Sequence, residues 1–214
     1  LFHFHENIIW FHQLCELGEK KFHLIDEDIS FNTVKIGLLG SVSQIKTISR
    51  LLNKKKLLNV ILDPILMSGT QENFSSNKMI GAMKKYLFPM STILTPNLEE
   101  LNLLAPGLAE QEAVSSLNCS WVLVTTSDSS KVDIEHRLYH ESILKRRYKY
   151  KKLPGKFHGS GCTLSSAISA LIAKGMAVED ACDEGLEYTY QCLLNAKKLG
   201  KMQYHPIRAS YKSK

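Results

Sequence analysis

The stretch TVKIGLLGSVSQIKTISRLLNKKKLLNVILDP, Thr33 to Pro64, decides the fold class. Thr33–Leu39 is an apolar run short enough for a buried strand, and Gly40 closes it. Ser41 is placed to cap a helix in which Val42, Ile45, Ile48, Leu51 and Leu52 recur near the helical period. Asn59–Leu62 is the next apolar run, stopped by Asp63–Pro64. Further along, Ser91–Leu94 ends at Thr95–Pro96, and Trp121–Val124 ends in a polar loop. Near-continuous apolar strands separated by helices indicate an α/β fold, with a mostly parallel central sheet and helices on both faces.

The C-terminal third reads differently. Arg137–Tyr139 and Arg147–Tyr150 are short strand candidates for an antiparallel edge. One helix is expected from Cys162 to about Lys174, stopped by Gly175, and another from Glu179 to about Leu199, stopped by Gly200. No linker or repeat divides the 214 residues, so the chain reads as a single domain.

Hydrophobic residues make up 44% and charged residues 22%, a globular balance in which polar residues interrupt every apolar run before it reaches membrane-spanning length. The net charge of +6 favours anionic partners. Much of the excess lies in Lys54–Lys56 and in Lys145–Lys152, which read as solvated surface or as phosphate contacts. Neither run has the pattern of a nucleic-acid motif, so no nucleic-acid partner is expected. The 5 cysteines, Cys15, Cys119, Cys162, Cys182 and Cys192, form no CxxC pair. That argues for a reducing, cytoplasmic setting and against a disulfide framework or a structural zinc.

Ligands of open parallel sheets bind beyond the carboxyl ends of the strands. Asp63, Thr95–Asn97 and Thr125–Asp128 each follow an apolar strand and should line one common edge. The segment Gly155–Lys156–Phe157–His158–Gly159–Ser160–Gly161–Cys162–Thr163 leads into a helix rich in small residues. Its glycines permit close approach, and the N–H groups at a helix start suit a phosphate. Cys162 stands at that start, where the helix dipole is expected to lower the thiol pKa toward the range of a base or nucleophile. A plain loop with an inert cysteine explains the same residues. In Thr95–Pro96–Asn97–Leu98–Glu99–Glu100, Asn97 is placed to cap a helix with two carboxylates in its first turn. That is either simply a well-built helix start or a magnesium and phosphate site using Asn97 and Glu100.

Taken together, VKIGLLGS (Val34–Ser41), VILDPIL (Val60–Leu66), TPNLEELNLL (Thr95–Leu104) and LPGKFHGSGCTLSSAISALIAKG (Leu153–Gly175) resemble the phosphomethylpyrimidine kinase branch of the ribokinase-like superfamily. The tail YTYQCLLNAKKLGKMQYHPIR (Tyr188–Arg208) is similar to the end of that family. The resemblance implies ATP-dependent phosphorylation of hydroxymethylpyrimidine and then of its monophosphate, in thiamine biosynthesis, with ATP and Mg²⁺ as cofactors. It implies that Gly159, Ser160 and Gly161 form the anion hole and that Cys162 takes the catalytic position. Asn97 and Glu100 would organise Mg²⁺ and the ATP phosphates, Asp63 would face the same site, and Thr125 and Ser127 would meet the nucleotide.

Two departures stand out. The family begins with a strand and a glycine-rich loop resembling G-x-D-P-S-G-G-A-G, and nothing like it precedes Val34. Residues 1–32 therefore read as an atypical or truncated N-terminal part, with that strand and loop missing. The Thr33 strand is then expected to have an unpaired edge, which would favour pairing into a homodimer. Second, Thr125–Thr126–Ser127–Asp128 replaces the Gly-Gly-His type of loop, and pyridoxal kinases are similar in having Thr-Ser there. A pyridoxal-type vitamin kinase and a non-catalytic nucleotide-binding relative therefore remain as alternatives.

Overall fold

The computed structural model describes residues 4–5, 8–11, 18–55, 59–66, 76–126 and 132–208. Among them one sheet runs in the order β1 (Phe4–His5), β2 (Ile8–Phe11), β3 (Thr33–Ile36), β4 (Asn59–Leu62), β5 (Ile93–Leu94), β6 (Trp121–Val124), β7 (Asp133–His140) and β8 (Ile143–Lys151). Strands β2 to β6 pair in parallel. The outer pairs β1–β2, β6–β7 and β7–β8 are antiparallel. The expected antiparallel edge is present, and its strands are longer than the sequence pattern indicated.

The sequence expected β3 to have an open edge, and the structure corrects this. β2 pairs with β3 in parallel along its whole length, Ile8 opposite Thr33 through Phe11 opposite Ile36. Ile8–Phe11 is apolar enough to serve as a strand, so the argument for dimerisation through that edge falls away.

Helices α1 (Gly18–Asp28), α2 (Val42–Lys54), α3 (Asn77–Tyr86), α4 (Leu98–Leu104), α5 (Glu110–Ser115), α6 (Ser160–Ala173) and α7 (Val178–Leu194) complete the architecture. Ser41 caps α2 as expected, its Oγ accepting from Gln44 N at 3.1 Å. Alternation along the strands builds two cores. Val34, Ile36, Val60, Leu62, Val122 and Val124 join Ile45, Ile48 and Leu51 of α2 in one. Ile61, Ile93 and Leu123 join Leu164, Ile168 and Ile172 of α6 and Leu186 of α7 in the other. In α7, Gly185 lets the helices meet: a Cβ there would stand 2.8 Å from Ile168 Cγ1.

α6 begins at Ser160, two residues earlier than the sequence suggested, which makes Cys162 its third residue. It ends before Gly175, whose φ of 90° is the expected left-handed stop. α7 ends at Leu194, short of Gly200, because the chain then turns into a bridge between Lys197 and His205. The Lys145–Lys152 run lies along β8 and is partly ion-paired: Arg146 reaches Glu179 and Asp183, and Arg147 reaches Glu135. Among the described residues no helix is long and apolar enough to cross a membrane.

Candidate active site at the carboxyl edge of the sheet

The parallel strands end side by side, and backbone bonds tie each end to the next. Asp63 N donates to Ile36 O at 2.9 Å, and Thr95 N donates to Leu62 O at 3.1 Å. Thr125 N donates to Pro96 O at 2.9 Å, and Leu98 N donates to Thr125 O at 3.0 Å. Asp63, Thr95–Asn97 and Thr125 therefore share one edge, as the strand pattern implied. Ser127 and Asp128 lie outside the described residues.

Asp63 is the hub of this edge. It is only 4% exposed, and Ser165 Oγ of α6 donates to its Oδ2 at 3.1 Å. Lys35 Nζ stands 3.7 Å from the same oxygen and is 1% exposed. Ser165 Oγ also stands 3.4 Å from Cys162 O, so the Asp63 carboxylate lies beside the first turn of α6. The sequence reading missed Lys35 and Ser165. The available signal was a single charge in the middle of the apolar strand TVKI, a position that burial makes costly.

The electrostatics correct a second expectation. The Cys162 thiol pKa is pushed up, first by burial and then by the negative charge of Asp63. Lys35 and Arg208 pull it back only in part. With its pKa raised, Cys162 rests as a thiol rather than a thiolate.

The start of α6 is a tight, glycine-capped turn. Gly159 caps it in the left-handed region, with φ of 84°. Thr163 N and Oγ1 both donate to Gly159 O, at 2.9 and 2.7 Å. The N–H groups of Ser160, Gly161 and Cys162 lie in the first turn, where an α-helix offers them no partner. The tail closes over this turn. Tyr204 N donates to Lys156 O at 2.8 Å and His158 N donates to Tyr204 O at 2.9 Å. Arg208 Nε then reaches Thr163 Oγ1 at 3.0 Å, a cation at the first turn of α6 that the sequence reading assigned no role.

Asn97 and Glu100 form a reciprocal capping box. Asn97 Oδ1 accepts from Glu100 N at 2.8 Å, and Glu100 Oε2 accepts from Asn97 N at 2.9 Å. Glu100 is 6% exposed, and burial raises its pKa to about 7, with the charge of Asp63 adding to the rise. Backbone hydrogen bonds from Asn97 and Leu66 hold it down. Beside Thr125, Thr126 N donates to His136 Nδ1 at 3.2 Å, and burial lowers His136 to about 4, so that imidazole is neutral.

These donors do not assemble an inner-sphere metal cage. Among the described residues no group of three or more His, Cys, Asp or Glu is placed to hold a metal. Glu100 is engaged by backbone donors and Asp63 by Lys35 and Ser165.

The model of the phosphomethylpyrimidine kinase family matches residues 15–208. The chain belongs to that family. A hydroxymethylpyrimidine/phosphomethylpyrimidine kinase of Mycobacterium tuberculosis is 30% identical over 184 residues, covering 81% of this chain and 67% of that protein. The phosphomethylpyrimidine kinase of Clostridium difficile superposes with a TM-score of 0.69 at 25% identity, over 83% of this chain and 76% of that one. A pyridoxal kinase of Bacillus subtilis in complex with ADP superposes with a TM-score of 0.81 at 22% identity, over 92% of this chain and 77% of that one. The family is a family of kinases, and the expected ribokinase-like fold is borne out.

Proposed function

We propose that the chain transfers the γ-phosphoryl group of ATP to the hydroxymethyl group of a hydroxymethylpyrimidine, and then to the monophosphate so formed, as a step of thiamine biosynthesis. The observation that carries this reading is the start of α6, where Cys162 lies in the first turn after the left-handed Gly159 and Ser165 of the same helix bonds to Asp63, in a chain matched to the family across residues 15–208. The unpaired cysteines fit a cytoplasmic setting.

Phosphoryl transfer needs positioning and charge stabilisation more than covalent chemistry. The first-turn N–H groups of Ser160, Gly161 and Cys162 would receive the transferring phosphoryl oxygens, with Arg208 adding positive charge from the tail. Thr163 holds the turn rigid through its two bonds to Gly159. Cys162 would face the acceptor oxygen. Asn97 and Thr125 would bound the nucleotide side, where the strand ends are locked together, and Ser127 is proposed to contact the nucleotide with them. Mg²⁺ would neutralise phosphate charge when bound, and Glu100 fits it only through water, since backbone donors hold its carboxylate.

The test is acceptor-dependent ADP formation with hydroxymethylpyrimidine, its monophosphate and pyridoxal side by side. Turnover with both pyrimidines and little with pyridoxal is expected. Turnover with pyridoxal alone would move the chain to the vitamin-kinase reading, and ATP binding without turnover on any acceptor would leave a nucleotide-binding relative.

A further inference from the structure

Lys35 is a charge in the middle of an apolar strand. In the sheet it lies opposite Ile61, whose side chain is part of the core between the sheet and α6. Its side chain is 1% exposed, and Nζ has no hydrogen-bond partner among the described residues. Asp63 Oδ2 stands 3.7 Å away, an ion pair without a hydrogen bond. A buried ion pair of this kind rarely adds stability over an apolar pair of similar volume, so its retention calls for another reason.

The pair lies beside the first turn of α6. Ser165 Oγ is 3.1 Å from Asp63 Oδ2 and 3.4 Å from Cys162 O, and Ser165 is fully buried. Asp63 thus supplies the acceptor that the buried Ser165 hydroxyl needs, and it ties α6 to the strand ends. A carboxylate so placed also opposes the positive end of the helix dipole. Alone, it would repel a phosphoryl group at the neighbouring N–H groups through a region that screens poorly.

We propose that Lys35 is the counter-charge that keeps this turn usable for a phosphate, cancelling the Asp63 carboxylate so that the helix N-terminus and Arg208 leave the turn positive. This rests on the kinase reading above. Lys35 is a positioning residue that acts through Asp63 and does not itself reach the phosphate. Arg208 Nε, 3.0 Å from Thr163 Oγ1, adds its charge from the exposed tail. Glu100, the other buried acid of this edge, is turned to the backbone N–H of Asn97.

The test is the binding of ATP and of adenosine, which carries no phosphate, by titration calorimetry without magnesium. Lys35→Met leaves the carboxylate uncancelled. ATP affinity should then fall on the order of tenfold, the scale of one unit charge at about 10 Å and an effective dielectric constant of about 20. Asp63→Asn leaves the cation uncancelled and should tighten ATP several-fold. Lys35→Met/Asp63→Asn removes both charges and should return ATP affinity close to that of the unmodified chain. Adenosine affinity should stay the same in all three variants.

Opposite signs in the two single variants are what a packing role does not produce, since damage to the turn weakens ATP in both. Weakening in both, or unchanged ATP affinity in either, would overturn the proposal. Should Lys35→Met fail to fold, Asp63→Asn, which keeps the side-chain shape, and the double variant carry the test: ATP must bind more tightly in the first and return in the second. Pyrimidine-dependent ADP formation by the unmodified chain is measured alongside. The predicted signs without turnover on either pyrimidine would defeat the kinase reading and uphold the charge balance, and turnover with the wrong signs would defeat the charge balance alone.

Discussion

Gly161→Ala separates what the anion hole needs from what the fold needs. Gly161 is the second residue of α6 and has helical backbone, so an alanine there meets no conformational barrier. A Cβ built on it finds nothing within 4 Å. Folding should therefore gain the helix preference of alanine over glycine, about 0.5–1 kcal/mol. For a chain of 214 residues that is a rise in Tm of roughly 1–4 °C. The same methyl would intrude where a phosphoryl oxygen must approach the first-turn N–H groups. Misplacing a reacting group by about 1 Å costs on the order of a hundredfold in rate. The assay pairs thermal unfolding without nucleotide with acceptor-dependent ADP formation. A more stable and much slower enzyme is expected. A variant that is more stable and equally fast would show that no phosphoryl group approaches Gly161, and the anion-hole account would be wrong.

The two shifted groups beside the site act oppositely on stability. Glu100, raised from 4.5 to about 7, is held protonated in the fold, so stability falls as pH climbs through that window. His136, lowered from 6.5 to about 4, must charge on unfolding, so stability falls as pH drops through that window. Each shift corresponds to about 3 kcal/mol. Denaturant unfolding of the unmodified chain between pH 4.5 and 6.5 should be nearly flat from these two groups, and Glu100→Gln should uncover the acid-side loss that His136 causes. A variant whose stability profile parallels the unmodified chain would contradict the assignment of Glu100. Arg208→Gln removes the cation that reaches Thr163 Oγ1 at 3.0 Å, and should raise KM for ATP several-fold while changing stability by less than about 1 kcal/mol. An unchanged KM would remove Arg208 from the site.

Much of the fold was legible because its strands are short and uninterrupted. NVIL and WVLV are buried on both faces, and each divides its side chains between two cores, a pattern that only a covered parallel sheet supports. Asn97 announced a helix start, and the structure builds the full capping box there. What the sequence could not convey was long-range proximity. Asp63 and Ser165 meet across 102 residues, and Arg208 reaches Thr163 across 45. Lys35 looked like an ordinary polar interruption in TVKI until the register set it opposite Ile61, on the α6 face of the sheet. Cys162 was misjudged for the same reason: the local helix dipole was visible in sequence, but the carboxylate of Asp63 beside it was not.

The most direct test of the central claim compares the unmodified chain with Cys162→Ala, measuring hydroxymethylpyrimidine-dependent ADP formation together with ATP affinity. The site described here predicts that ATP affinity stays within a few-fold while turnover falls on the order of a hundredfold or more. A Cys162→Ala chain that phosphorylates hydroxymethylpyrimidine at the unmodified rate would contradict it.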